Sequence, residues 1–183
     1  MPIQDGDPFA STLLMEQRSL GAITITSHPY LQNELNAATQ DIRDFCRWHV
    51  APRREVTHKR RGRFVEDVWL PAMQIASVDA VTIDGVVWDA EHLATVEFDE
   101  DTGWTNLRGR AVEVKFTAGY TDVPANIETI TLELAAAALG TSLGFTREQA
   151  GSVSVTYGRA GGGVDEDSTV GRRLIPYRIG RLP

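Results

Sequence analysis

Four histidines, one cysteine and a short acidic run are the side chains of this chain best suited to chemistry. His28, His49, His58 and His92 stand at no i,i+3 or i,i+4 spacing and beside no cysteine. A structural metal needs convergent ligands, so these read as ordinary surface or edge histidines. Cys46 follows Phe45 on the apolar side of a helical pattern, the setting of a small buried hydrophobe; a nucleophile would need a partnered base. Asp99-Glu100-Asp101-Thr102-Gly103 has the first part of a calcium loop but not its later ligands or its bidentate glutamate. It reads as a solvated hairpin tip. Gly161-Gly162-Gly163 lacks the Gly-Lys-Ser/Thr ending of a phosphate loop and reads as a hinge. No Ser/His/Asp order or nucleophile elbow is present. The sequence therefore gives no reason to expect an enzyme, a cofactor or a bound metal.

Charge is more informative than catalysis. Eighteen basic against 25 acidic residues leave a formal charge of −7, which excludes a protein that coats nucleic acid with its whole surface. The charges are unevenly placed. Arg53, Arg54, Lys59, Arg60, Arg61 and Arg63 form a basic run, and residues 84–101 are rich in Asp and Glu. The run admits three readings: a solvated hairpin around Gly62, a contact with acidic protein surface, or a contact with phosphates. A single cysteine permits no internal disulfide and fits a reducing compartment. No apolar run approaches the roughly 20 residues of a membrane helix, and the first residues lack a signal-peptide layout. A cytosolic, non-membrane protein is expected.

The elements that would position these residues follow from periodicity. Residues 1–28 read as a loose lead-in, broken by Gly6 and Pro8, with a weak helical signal over 13–20. Leu31, Leu35, Ala38, Ile42, Phe45 and His49 form one stripe at spacings of four and three, which predicts a helix over 29–49. Val81-Thr82-Ile83, Asp84-Gly85 and Val86-Val87-Trp88 predict a hairpin whose turn occupies positive φ. Residues 96–98 and 104–107 suggest a second hairpin around Asp101-Thr102-Gly103. Val112, Val114 and Phe116 alternate with charged residues and predict a strand that closes the sheet. Pro124 then starts an alanine-rich helix over 124–143. Val153, Val155 and Tyr157 alternate as a further extended piece, and residues 158–163, with four glycines, read as mobile. The class expected is α+β and mainly helical, with a small antiparallel β-module over 64–118 inserted between the two main helices.

Several of these pieces resemble the head–tail connector (adaptor) proteins of long-tailed bacteriophages. The pieces are Leu70-Pro71, then Ile75-Ala76-Ser77-Val78 and Val81-Thr82-Ile83-Asp84-Gly85, then Ala118-Gly119-Tyr120 through Val123-Pro124. Leu174-Ile175-Pro176-Tyr177-Arg178 closes the set. The resemblance covers a single connector domain over 29–181, with a C-terminal docking segment over 151–181; the basic run matches none of its motifs. It implies a head-completion protein of the virion neck, assembled in the host cytoplasm. Such a protein forms a homo-oligomeric ring of twelve copies beneath the portal protein. The ring extends the channel for double-stranded DNA, without sequence-specific binding, and docks the next neck or tail-completion protein. The alternative is a cytosolic protein- or DNA-binding module without catalytic activity.

Site residues are expected on that basis. Portal contact falls to Arg172, Arg173, Leu174, Ile175, Tyr177 and Arg178, because arginine and aromatic side chains dominate interface anchors. Ala135, Ala136 and Leu139 are expected at a subunit interface, because helix 124–143 is apolar on more than one face. Asp99, Glu100 and Asp101, in the densest acidic group (with Asp84, Asp89 and Glu97), are candidates for the lumen, where a basic lining would hold phosphates and stall ejection.

Overall fold

A computed structural model describes residues 6–140, 147–150, 153–156 and 164–180. The fold class is α+β. Where one domain over 29–181 was expected, the chain divides into two compact units. One is helical (Gly6–Phe45 with Pro124–Pro176), and the other is built on a sheet (Cys46–Val123 with the segment from Tyr177 on).

In the helical unit, helix α1 (Thr12–Arg18) is capped by Ser11, whose hydroxyl accepts the Leu14 N–H. This satisfies one of the donors a helix start leaves open. Helix α2 (Leu31–Cys46) follows the predicted stripe, with Leu31, Leu35, Ala38 and Ile42 buried. Residues 6–28 are more than a lead-in, since Phe9, Ala10 and Met15 are also buried. Ala10 and Met15 join Leu31, Leu35, Ala38, Leu132 and Ala135 in one core cluster. Thr39, buried in α2, accepts the Phe9 N–H at 2.9 Å and donates to Leu35 C=O, so its hydroxyl both accepts and donates. Helix α4 (Ala125–Leu139) begins directly after Pro124 and buries Ile127, Ile130, Thr131, Leu132 and Ala135. The last part of the helix expected over 124–143 lies outside the described residues, as do Tyr157 and the glycines of 158–163.

The sheet unit carries a four-stranded antiparallel sheet. Its strands are β1 (Arg54–Val65), β3 (Ile75–Ile83), β4 (Val86–Val87) and β6 (Gly109–Ala118), in the order β1-β6-β3-β4. Register fixes the core face. Val56, His58 and Arg60 lie opposite Phe116, Val114 and Val112, while Val81 and Ile83 lie opposite Val114 and Val112 from the other side. Val112, Val114, Phe116 and Ala118 are accordingly buried. The strand expected to close the sheet is therefore central to it. The expected turn is present, with Asp84 at φ 51° and Gly85 at φ 88°, and Thr82–Val87 and Ile83–Val86 pair across it. Asp84 also accepts the N–H groups of Arg110 and Ala111 through Oδ1, which ties the turn to β6.

Three expectations change. The β-module begins at Arg54, not residue 64, because the basic run is strand β1 rather than a hairpin around Gly62. Gly62 instead falls at the irregularity in the β1–β6 register, between Arg61 and Val65. The description as mainly helical is not confirmed, since β1 and β6 alone span 12 and 10 residues. Finally, β5 (Trp104–Thr105) forms its ladder with β2 (Val68–Trp69). The hairpin expected over 96–107 is reduced to one bridge, Phe98–Thr105, and nearby hydrogen bonds. Short helices α3 (Ala90–Leu93) and α5 (Thr169–Leu174), a 3-10 turn over Ile175–Tyr177 and the paired strands β7 (Arg147–Ala150) and β8 (Val153–Thr156) complete the described elements.

Candidate functional site

The Gly119-Tyr120 motif sits where β6 ends, in the sheet unit, and the backbone there has no slack. Gly119 has φ +111°, and a Cβ on it would lie 2.6 Å from His49 Nε2 and 3.0 Å from Pro52 O. Glycine is required twice over, by conformation and by space. Its N–H bonds Gln74 C=O, its C=O accepts from Arg53 Nε at 3.0 Å, and the next N–H, of Tyr120, bonds Val50 C=O. His49 Nε2 lies 3.0 Å from Ala118 O. That bond holds the ring in the space a side chain on Gly119 would need.

Aromatic rings gather on this corner. Trp48 and Tyr120 have centroids 6.2 Å apart, Tyr120 and Tyr177 6.1 Å, and Trp48 and His49 5.4 Å. The Trp48 indole N–H donates to Tyr177 C=O at 2.7 Å, and the Ile179 N–H donates to Cys46 C=O. Segment 177–179 is thus strapped to the residues that follow α2. Burial pushes the Cys46 thiol up to about 12, with the Arg178 guanidinium pulling the other way. A thiol so protonated is no nucleophile. Burial, with Tyr177 second, also raises Tyr120. The corner is a packing node of aromatic rings.

The residues expected at the portal do not form one exposed patch. Leu174 is fully buried. Arg173 is held in the helical unit by Glu133 Oε2 at 2.6 Å and Asn126 Oδ1 at 3.2 Å. Tyr177 and Arg178 are half-buried, and only Arg172 and Ile175 are exposed. Part of this segment therefore folds back onto the chain's own units. Of the expected subunit-interface residues, Ala135 is fully buried in the helical core. Ala136 and Leu139 pack against the same core and are partly buried.

The acidic tip is a tethered turn. Asp99 Oδ1 accepts from Thr102 Oγ1 and from the N–H groups of Thr102 and Asp101. These bonds, those from Thr102 first, hold its carboxyl below the usual range. Asp101 accepts from Gln74 Nε2, and Glu100 C=O accepts the Ile75 N–H. All three side chains are exposed.

The histidines stay apart. His92 pairs with Asp89 at 2.7 Å, His28 bonds Ser27, and burial followed by Arg60 lowers His58. Among the described residues no three His, Cys, Asp or Glu side chains converge on a metal position, and no helix is long and apolar enough to cross a membrane. A cavity of about 340 Å³ in the helical unit is lined by Thr12, Leu13, Glu16, Thr24, Ile25 and Thr26. It has one carboxylate and no partner for it. No family model matches the chain, and no curated protein matches it.

Two features escaped the sequence reading. Trp48 lies off the apolar stripe of α2, and nothing local signals its bond to a residue 129 positions away. The exposed edges of the sheet required the strand order, although the exposed Val86 and Val87 were already legible as a strand.

Proposed function

We propose that this chain is a structural component of a phage virion, a head-to-tail adaptor that binds the portal as a ring around the DNA channel. The observation that supports this most is convergence. The two motif pieces that carry the resemblance, Ala118-Gly119-Tyr120 and the closing Leu174 to Arg178, meet through Tyr120 and Tyr177 and through the Trp48 bond to Tyr177. Residues that match a family pattern in sequence thus also form one physical node.

The test is localisation. Gold-labelled antibody against this chain, applied to particles of the phage that encodes it, should mark the neck and nothing else. Mature, infectious particles lacking the chain would sink the reading. The exposed basic strand β1 supports the other possibility, a cytosolic module that binds DNA or protein. Salt-sensitive binding of double-stranded DNA by the purified chain, together with absence from particles, would favour that module.

A further inference from the structure

The four-stranded sheet is electrically lopsided. Residues 53–63 carry six Lys or Arg and one acid, Glu55, whereas residues 64–107 carry ten Asp or Glu and no Lys or Arg. The strand order β1-β6-β3-β4 puts the basic block on one edge and three of these acids, Asp84, Asp89 and Glu91, at the other. Lys59, Arg61 and Arg63 are exposed on β1. The far edge is β4, flanked by Asp84, Asp89 and the exposed Glu91 of α3, which packs against β3. The other acids lie elsewhere: Glu66 and Asp67 at the turn out of β1, Asp79 on β3, and Glu97, Asp99, Glu100 and Asp101 in the connection after α3. Apolar surface accompanies the charge: Val86 and Val87 on β4 are 65% and 72% exposed, and Phe64 on β1 is 55% exposed. Among the described residues neither edge has a further strand beside it.

We infer that the basic edge of β1 and the acidic, valine-bearing edge of β4 and α3 are the two halves of one head-to-tail contact between copies of this chain. Complementary charge selects the partner edge and steers encounter, while exposed apolar side chains and main-chain groups supply the area. Lysine and arginine on an edge strand ordinarily discourage pairing with another strand. Against an edge of opposite sign that deterrent becomes a selector for one neighbour. Strand direction fits as well. Each neighbouring pair is antiparallel, so β1 and β4 run oppositely, and copies related by rotation about an axis along the strands meet antiparallel. A contact between two different patches propagates beyond a dimer, into a closed ring where the rotation between copies closes and into a filament where it does not. The inference deepens the adaptor reading and rests on it for the closed ring; the edge-to-edge contact is tested on the free protein.

The experiment uses the full chain and three variants by sedimentation velocity over a concentration series. Wild type should self-associate, and raising ionic strength from about 0.05 M to about 0.5 M should weaken it by about tenfold or more. Arg61→Glu with Arg63→Glu gives a copy acidic on both edges. Val86→Lys, Val87→Lys and Glu91→Lys give a copy basic on both. Each variant alone should remain monomeric at low salt, and the two mixed should associate in alternation. That rescue reports on complementarity, and it excludes misfolding as the cause of the loss. The third, Arg172→Glu, lies off both edges and should associate like wild type. Wild type that stays monomeric throughout at low salt overturns the inference, as does association that survives either reversal or a mixture that fails to associate. Portal binding that persists while the edge variants behave as wild type would defeat this contact and leave the adaptor reading standing. Edge-dependent association in a chain absent from particles would do the reverse.

Discussion

The two ends of the four-stranded sheet solve opposite problems. At one end, where Arg54, Ala118 and Ile75 are in register, every position is spoken for. Gly119 has neighbours inside van der Waals range, and Trp48, His49, Tyr120 and Tyr177 close over it. At the other end, Gly62 and Gly85 have no atom within 4 Å of where a Cβ would stand, and Phe64, Val86 and Val87 face solvent. Both ends use glycine at positive φ, but for different reasons. Gly119 is needed for space and conformation, whereas Gly62 and Gly85 are needed for conformation alone. An interior this close-packed leaves no volume for a methyl group, so motif residues at the closed end read as folding determinants. Residues at the open end are free to be read by a partner.

Substitution should separate the two ends sharply. Gly119→Ala combines backbone strain with a clash and should cost about 4 kcal/mol in denaturant unfolding. Gly85→Ala meets strain only and should cost about 1 kcal/mol. Similar losses at both sites would erase the contrast. The same logic applies next within the closing segment. Leu174→Ala should lose about 3 kcal/mol as a buried truncation, and Ile175→Ala, about half exposed, under about 0.5 kcal/mol. Portal binding lost on Ile175→Ala in a protein of unchanged stability would sharpen the assignment of that residue to the docking surface. Trp48→Phe keeps an aromatic ring but shortens it and removes the N–H bond to Tyr177 C=O, and should cost about 2 kcal/mol in denaturant unfolding.

The smallest expected effect is at Cys46. Its thiol lies well above its ordinary value of 9.0, so the folded chain retains a proton that the unfolded chain releases. Stability should decline as pH rises through 9. Alkylation near about pH 8 should be slow until denaturant is added. Rapid labelling of the native protein would show that the closed end opens readily.

Legibility in the sequence followed the range of the forces involved. The stripe of α2, the Asp84-Gly85 turn and the alternation of β6 are local patterns, and each appears where periodicity places it. In sequence, strand β1 reads as a hairpin folded at Gly62, and not as one strand, because its core-facing positions include His58 and Arg60. An edge strand covers them incompletely and tolerates residues that a central strand would not. The role of residues 6–28 was missed because Phe9, Ala10 and Met15 are too few to form a pattern of their own; the burial comes from α2 and α4. The acidic tip was legible as a turn. That Asp99 would turn inward on Thr102, and Asp101 on Gln74, depends on bonds whose geometry composition does not encode.

The bond from Tyr120 N–H to Val50 C=O has a consequence for modularity. It makes neighbours of the two places where the chain enters and leaves the sheet unit. A segment whose ends already meet can be excised, or grafted into the loop of another scaffold, with little cost in chain closure. Residues 46–123 are in that sense a cassette, and the strap at 177–179 is the one described piece that arrives from elsewhere in the chain. A grafted cassette would leave Trp48 and Tyr120 uncovered, and a short peptide carrying Tyr177 to Ile179 would be its natural complement.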